Sequence, residues 1–334
     1  MAVVAYHSLL ASTAFVQKPS HFVEAIFGRG FLGVDFFFVL SGFIIMHTHV
    51  NDAPTSKEAV SYIKKRARRI YVPYLPVSVV LIILYTALPS ISLGNRDWGV
   101  FTSLTLIPSS RPAALSVAWT LIHEVMFYAI FCSSYFFRHF ALFVAAWVAS
   151  IVAALLVGLT IDIPLIRVFL SPLNLEFVAG MASAYACTRI SARWCPVLIG
   201  VGLVGAATFF LVLEPQPYRV LFGLALAPIV TGAVLLESQN PPLALGWLVT
   251  LGNASYAIYL VHNPIVSVVA RASMSLHSWA LTMMLCAIAG TLAGVAYHFR
   301  VEKPGMRMTF KAEHILSGVF QTAFKFAIRP KPVP

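Results

Sequence analysis

The sequence predicts an all-α fold, a polytopic integral membrane helix bundle with about ten transmembrane helices. The chain of 334 residues is 59% hydrophobic and only 10% charged, and its mean hydropathy is +0.85. A soluble domain needs more polar surface than this composition supplies. The apolar residues are also grouped into runs close to the roughly 20 residues that a helix needs to cross the hydrocarbon core.

Ten apolar runs follow one another along the chain. They cover residues 1–15, 33–49, 70–88, 116–137, 141–159, 166–187, 196–213, 218–236, 247–270 and 279–298. The first run is shorter than the roughly 17 to 25 residues of a spanning helix, so we expect the natural first helix to begin before residue 1. The segment 89–115 is expected to be the longest outside loop. We expect one membrane domain over residues 1–300 and a basic cytoplasmic tail over residues 301–334.

The positive charges predict how the chain is oriented. With the amino terminus in the cytoplasm, 16 of the 23 Lys and Arg residues fall on the cytoplasmic side. Positive loops are retained inside, so this distribution predicts that both termini are cytoplasmic. The net charge of +11 then reflects a basic inner rim facing the lipid bilayer, and we expect no nucleic acid partner. The four cysteines lack paired spacing, so no disulfide framework and no metal site are expected.

Glu124 is a carboxylate inside the apolar run 116–137. Such a charge at the bilayer centre costs roughly 2.5 to 3.5 kcal/mol, so an ionisable residue there is a functional candidate by default. Helical spacing places Glu124 and Tyr128 one turn apart on one face, with Trp119 nearby. This face would line a cavity for a sugar ring, with Trp119 against its apolar side. The alternative is a purely structural hydrogen bond between helices.

His7 and Asp35 raise the same question in the first two runs. A neutral imidazole at position 7 would act as a general base near physiological pH. Its alternative is a histidine bonded to a helix carbonyl. Asp35 would orient a histidine or bind a polar substrate, whereas its alternative is a carboxylate stabilised by the helix dipole in a first turn. Gly33 and Gly42 in the same run predict close helix packing.

A basic cluster precedes the third run. If this segment is helical, Arg66 and Arg69 share one face and would clamp phosphate oxygens. Positive-inside anchoring of the helix is the alternative. Near the end of the chain, Tyr259 and His262 lie three residues apart, and Pro264 would kink the helix and free carbonyls to line a cavity. Ser255 is interpreted as a packing residue.

In this order and over nearly the full chain, these residues resemble the acyltransferase 3 family of membrane O-acyltransferases. The matching pieces are His7, the segment 33–43 with Asp35, Arg66 with Arg69, Trp119 with Glu124 and Tyr128, Tyr256 with His262, and Glu302 with Pro304. The resemblance is greatest to short bacterial members that acetylate exopolysaccharide or lipopolysaccharide. It implies a bacterial inner membrane location, an acyl-CoA donor such as acetyl-CoA on the cytoplasmic side, and a carbohydrate or lipid-linked saccharide acceptor.

The resemblance also implies roles for individual residues. His7 corresponds to the family's essential first-span histidine, and Arg66 and Arg69 correspond to its Arg-x-x-Arg motif at the donor entrance. Glu124 and Asp35 are the further catalytic candidates. The expected substrate-binding residues are Trp119, Tyr128, Tyr256 and His262. The family also has an arginine eleven positions before the histidine, and we expect it to precede residue 1.

The predicted reaction is direct transfer of an acyl group from a thioester to a sugar hydroxyl. His7 is the expected general base, with Glu124 or Asp35 holding its tautomer. An acyl-histidine intermediate is the alternative mechanism. We expect these side chains to converge on a single water-accessible pocket reachable from the cytosol. A proton-coupled transporter or flippase of a sugar or lipid-linked intermediate is the alternative function, with Glu124, His7 and His262 as a proton relay.

Overall fold

The computed structural model describes residues 1–16, 19–88, 97–213, 215–239 and 245–309, and the regular structure in these ranges is entirely helical. The all-α class is therefore confirmed. The helices are α1 Ala2–Phe15, α2 His21–Phe27, α3 Gly33–His49, α4 Ser56–Ala87, α5 Val100–Thr105, α6 Ala118–Cys132, α7 Phe140–Val157, α8 Pro164–Phe169, α9 Asn174–Cys187, α10 Cys195–Val212, α11 Pro215–Gln239, α12 Gly246–Asn253, α13 Ser255–Ala272 and α14 Trp279–Tyr297.

Seven helical segments of the described ranges are long and apolar enough to cross a membrane. They are His21–His49, Ser56–Ala87, Phe140–Val157, Pro164–Cys187, Ala192–Val212, Tyr218–Gln239 and Trp279–Thr309. The expected count of about ten spans is not confirmed by this criterion. The other three predicted runs form α1, α6 and the pair α12 and α13, which are shorter or more polar helices.

These shorter helices carry the candidate chemistry and lie among other helices. Helix α13 packs against α14, α1 and α4, and α6 packs against α3, α4 and α9. Of the 15 residues of α6, 10 are buried. A helix enclosed by protein needs less apolar surface of its own than one facing lipid, so polar side chains are tolerated there.

Helix α4 begins well before the predicted run 70–88. Its amino terminus is capped by Thr55, whose side chain accepts a hydrogen bond from the backbone of Glu58. The basic cluster therefore lies on a regular helix, and Arg66 and Arg69 share one face as expected. The predicted run 247–270 is divided by a break at Ala254 between α12 and α13.

The segment expected to be an outside loop folds back against α4. The hydroxyls of Tyr74 and Ser78 donate to the carbonyl of Ser103 at 2.7 and 2.6 Å. Leu106 and Ala114 are fully buried. Irregular backbone at membrane depth is tolerated where protein buries it or where it lines a cavity, because its polar groups need partners. Residues between 102 and 117 thus pack against the bundle, whereas 89–96 lie outside the described residues.

The last helix continues across the expected domain boundary at residue 300. After α14, a π-helical turn spans His298–Glu302, and the helical segment extends to Thr309. Glu302 is 2% exposed and belongs to the bundle. Residues 310–334 of the expected tail lie outside the described residues.

Two glycines bring α3 and α9 into backbone contact. A Cβ atom on Gly42 would lie 2.0 Å from the carbonyl oxygen of Phe177, and one on Gly180 would lie 1.9 Å from that of Val39. Close packing through Gly42 is therefore confirmed. Because α3 carries Asp35, this contact also holds one wall of the site described below.

We expect Gly180→Ala to destabilise the fold by about 3 kcal/mol, the upper end of the usual range for overpacking, because backbone atoms of α3 must move to admit the methyl group. Thermal unfolding of the detergent-solubilised protein measures this effect. The matched control is Gly200→Ala on α10, where no atom lies within 4 Å of the new Cβ. An unfolding temperature in Gly180→Ala equal to that of this control would contradict the contact.

Candidate active site

The first cavity lies between α3, α4, α6 and α13 and has a volume of about 200 Å³. We call it the inner cavity, because Arg66 and Arg69 line it. Its polar wall consists of Ser41, Arg66, Arg69, Glu124, Tyr128 and Tyr256. Five of the expected site residues therefore meet here, as the sequence predicted for the arginine pair and for Glu124 with Tyr128.

Glu124 is held by hydrogen bonds on one side. Its Oε1 atom accepts from the hydroxyl of Tyr128 one turn later and from Ser41 Oγ of α3 at 3.2 Å. The interhelical bond that the structural alternative expected is thus present. The Oε2 atom has no hydrogen-bond partner among the described residues. A buried carboxylate beside two guanidinium groups is compensated in charge and retains one free acceptor oxygen.

A chain of hydrogen bonds orients Arg66. Arg66 Nη2 lies 2.8 Å from His49 Nε2, and an arginine only donates, so this histidine nitrogen accepts. The proton of His49 is then on Nδ1, which lies 2.7 Å from Asp52 Oδ2. Tyr135 also donates to this oxygen at 2.6 Å. Burial opposes the charge of Asp52, but the hydrogen bonds from Tyr135 and His49 outweigh it and lower the pKa of the carboxyl.

Arg69 is fixed by different partners. Its Nη1 atom donates to Glu302 Oε1 at 3.0 Å, and its guanidinium lies 5.3 Å from the ring centroid of Tyr256. Glu302 also contacts His298 Nδ1 at 2.8 Å. The Arg69 side chain is 45% exposed. The guanidinium is thus pre-oriented at the cavity and retains donors for an anionic ligand.

The second cavity has a volume of about 440 Å³ and is lined by residues of α1, α3, α6, α11 and α13. We call it the outer cavity. Its wall includes Tyr6, His7, Ser116, Trp119, Arg219 and Tyr259. Trp119 is 38% exposed, so its indole is accessible to a ligand. Of the expected site residues, His7 and Trp119 lie here.

His7 is paired with His262 across α1 and α13. His7 Nδ1 lies 3.0 Å from His262 Nε2 and 3.1 Å from the carbonyl oxygen of Val3 in its own helix. His262 is fully buried, and its Nδ1 atom lies 3.0 Å from the carbonyl oxygen of Ile258. His262 therefore lies behind His7 and does not line the described cavities, although the sequence suggested a substrate contact.

Asp35 forms a bidentate ion pair with Arg219 of α11. Arg219 Nε lies 2.8 Å from Oδ1, and Nη2 lies 2.9 Å from Oδ2. The guanidinium also contacts the rings of Phe31 and Trp119 at 5.2 and 5.4 Å. Sequence reasoning missed Arg219 and counted it only as an outside charge. The sequence feature that could have pointed to Arg219 was Asp35, because a carboxylate buried in a membrane protein needs a cationic partner.

Neither carboxylate holds the tautomer of His7, contrary to the expectation. Glu124 accepts hydrogen bonds from Ser41 and Tyr128, and Asp35 accepts hydrogen bonds from Arg219. His7 instead contacts His262 and Val3. Asp35 pairs with a full positive charge because this compensates its burial better than a neutral imidazole would.

The residues expected in a single pocket are divided between these two cavities. Phe37 lines the inner cavity, and Tyr259 lines the outer one. The two rings are stacked with centroids 6.3 Å apart and planes at 7°. The Tyr259 hydroxyl is anchored to α6 by Thr120 Oγ1 at 2.8 Å. The two rings are thus in contact where residues of the inner and the outer cavity meet.

The described ranges contain no group of three or more His, Cys, Asp or Glu side chains that would hold a metal ion. The polar groups of both cavities suit acid-base chemistry and anion binding. Ionisable side chains that line cavities inside a helical membrane bundle are typical of a membrane-embedded enzyme.

Comparison with known proteins agrees with this class. The acyltransferase 3 family model, described as an acyltransferase domain, matches residues 1–300. The chain therefore belongs to the acyltransferase 3 family and is a multi-pass membrane acyltransferase.

Two relatives extend the comparison. The chain is 32% identical over 312 residues to the exopolysaccharide production protein ExoZ of Rhizobium meliloti (strain 1021), covering 88% of this chain and 94% of ExoZ. It is 23% identical over 287 residues to the peptidoglycan O-acetyltransferase OatA of Listeria monocytogenes, covering 71% of this chain and 45% of OatA. No solved structure shows a significant match.

Proposed function

We propose that this protein transfers an acetyl group, or another short acyl group, from acyl-CoA to a hydroxyl of a cell-surface carbohydrate such as exopolysaccharide. The observation that carries the proposal is His7, whose Nδ1 is hydrogen-bonded and whose ring lines a cavity beside an accessible tryptophan. The similarity to ExoZ, an exopolysaccharide production protein, and to OatA, a peptidoglycan O-acetyltransferase, supports a polysaccharide acceptor and O-acetyl transfer.

The donor is proposed to bind at the inner cavity. Acetyl-CoA carries phosphate groups, and guanidinium groups bind phosphate oxygens with good geometry. Arg66 is hydrogen-bonded to His49, and Arg69 is hydrogen-bonded to Glu302. Because both side chains are already oriented, their remaining donors bind the ligand with little further loss of side-chain entropy. In this proposal the inner cavity faces the cytoplasm of a bacterium and both termini are on the cytoplasmic side of the inner membrane, which the excess of positive charge on this side supports.

The acceptor is proposed to bind at the outer cavity. The exposed indole of Trp119 offers an apolar face to the C–H side of a sugar ring. His7 lines the same wall and meets a hydroxyl of that sugar. A polymer or a lipid-linked saccharide reaches this cavity from the outer face of the membrane.

The chemical step is direct acyl transfer. The acceptor hydroxyl oxygen forms a bond to the thioester carbonyl carbon, and its proton passes to His7 Nε2. The carbon–sulfur bond then breaks, and the proton returns from His7 to the sulfur, which leaves as free coenzyme A thiol. No net proton is gained or lost, and His7 begins and ends the cycle neutral.

This reaction requires the thioester to pass the stacked pair of Phe37 and Tyr259. We expect Phe37→Ala to raise hydrolysis of acetyl-CoA relative to transfer by about tenfold, because water then reaches the thioester through a continuous polar passage. The ratio of released acetate to acetylated acceptor measures this leak. The matched control is Phe36→Ala, since the neighbouring ring is 43% exposed and absent from both cavity walls. An unchanged ratio in Phe37→Ala argues against this route.

The function is tested by supplying radiolabelled acetyl-CoA to membranes that contain the protein and an acceptor polysaccharide. Label on the polysaccharide, absent from membranes without the protein, is the expected result. Proton-driven uptake of the saccharide without labelling would instead identify a transporter. Analysis of O-acetyl groups on the product then identifies the acceptor sugar.

A further inference from the structure

The hydrogen bonds between the two histidines allow one consistent proton arrangement. The carbonyl oxygen of Ile258 only accepts, so His262 Nδ1 carries the proton directed at it. The lone pair of a neutral His262 is then on Nε2, where it accepts from His7 Nδ1. The reverse direction would leave a lone pair on His7 Nδ1 facing the carbonyl oxygen of Val3 at 3.1 Å, which is repulsive.

We infer that His262 is a positioning residue for acyl transfer, which fixes the tautomer of His7 and leaves the lone pair of His7 Nε2 for the acceptor hydroxyl. This inference rests on the proposed function, in which His7 is the general base. In hydrolases with a catalytic triad, a carboxylate orients the histidine in the same way. Here the orienting group is uncharged, so the pair adds no net charge to the membrane interior.

Helix α14 holds His262 in place through small residues. A Cβ atom on Gly290 would lie 3.3 Å from the Cβ atom of His262, and one on Gly294 would lie 2.4 Å from the Cα atom of Ile258. The backbone of α14 therefore packs directly against both ends of the hydrogen bond that sets the proton of His262. Such close packing restricts the ring to one orientation.

Two amide substitutions separate the positioning role from a packing role. His262→Gln supplies an amide oxygen that reaches His7 Nδ1, whereas the shorter amide of His262→Asn reaches only its own helix. We expect His262→Asn to lower kcat by about 10- to 100-fold with little change in the acceptor KM, by analogy with the loss seen when a group that orients a metal-binding histidine is removed. His262→Gln is expected to recover kcat to within about threefold of the wild type.

A double-mutant cycle completes the test. If His262 acts only through His7, adding His262→Asn to His7→Ala changes the residual rate no further. The inference is overturned if His262→Asn keeps the wild-type kcat while His7→Ala is inactive, or if the double variant is slower than His7→Ala. Activity that persists in His7→Ala removes the proposed base and this inference together. Thermal unfolding measures the folded fraction of each variant, and each rate is divided by that fraction. If His262→Asn does not fold, His262→Leu takes its place.

Discussion

His7→Ala is expected to lower the rate of acyl transfer by about 10²- to 10⁴-fold, the usual contribution of a positioned general base. The imidazole lines the outer cavity and is anchored by Val3 and His262, so alanine removes the proton acceptor but leaves the surrounding helices in contact. Transfer of labelled acetyl to polysaccharide in purified membranes measures the loss. The unfolding temperature is expected to change little.

The control for this experiment is His21→Ala at the start of α2. His21 is exposed and does not line either cavity, so the rate is expected to stay at the wild-type value. Near-normal product from His7→Ala in folded, inserted protein would refute the assignment of His7.

Replacing Arg66 and Arg69 together by Gln is expected to raise the KM for acetyl-CoA by about 100-fold or more, since each charged hydrogen bond contributes roughly 1.5 to 3 kcal/mol. The kcat at saturating donor is expected to fall less, because His7 lines the outer cavity and not the inner one. Initial rates at varied acetyl-CoA measure the two constants separately.

Lys57→Gln is the matched control on the same helix, since it removes a positive charge from the exposed first turn of α4. Its donor KM is expected to stay close to the wild-type value. A KM that rises as much in this control as in the arginine variants would show a general effect of inner charge instead of a donor site.

The hydrogen-bond chain from Arg66 through His49 to Asp52 has a predictable pH dependence. Because the pKa of Asp52 is lowered from its ordinary value of 3.8, its stabilising interactions are fully present above that value and are lost only as the pH falls through the lower folded pKa. Donor KM should therefore not respond to this group between neutral and mildly acidic pH. Asp52→Asn imitates the protonated state at neutral pH, and we expect it to raise donor KM by less than Arg66→Gln does.

The features predicted correctly from the sequence are those that depend on neighbours along one helix. Glu124 and Tyr128 share a face because of the helical period, and so do Arg66 and Arg69. Gly42 predicted a close helix contact, although Phe177 as its partner came only from the structure. The motif order also identified the family correctly.

The features that were missed or wrong depend on contacts between distant segments. Asp35 pairs with Arg219, 184 residues away, and His7 pairs with His262, 255 residues away. Neither His49 at the end of α3 nor Asp52 in the following loop carried a sequence signal for a role in the site, because that role depends on Arg66 of the next helix. Phe37 of α3 and Tyr259 of α13 line different cavities and stack on each other, a contact between segments more than 200 residues apart.

Composition and apolar periodicity by themselves determined that this chain is an α-helical membrane protein, and the motifs determined its family. These signals act locally, since hydropathy and helical spacing are properties of each segment. The partner of each buried polar group was decided only by the tertiary structure. Partners depend on the rotation of each helix about its axis and on its depth relative to its neighbours, and both are set jointly by the packing of all the helices.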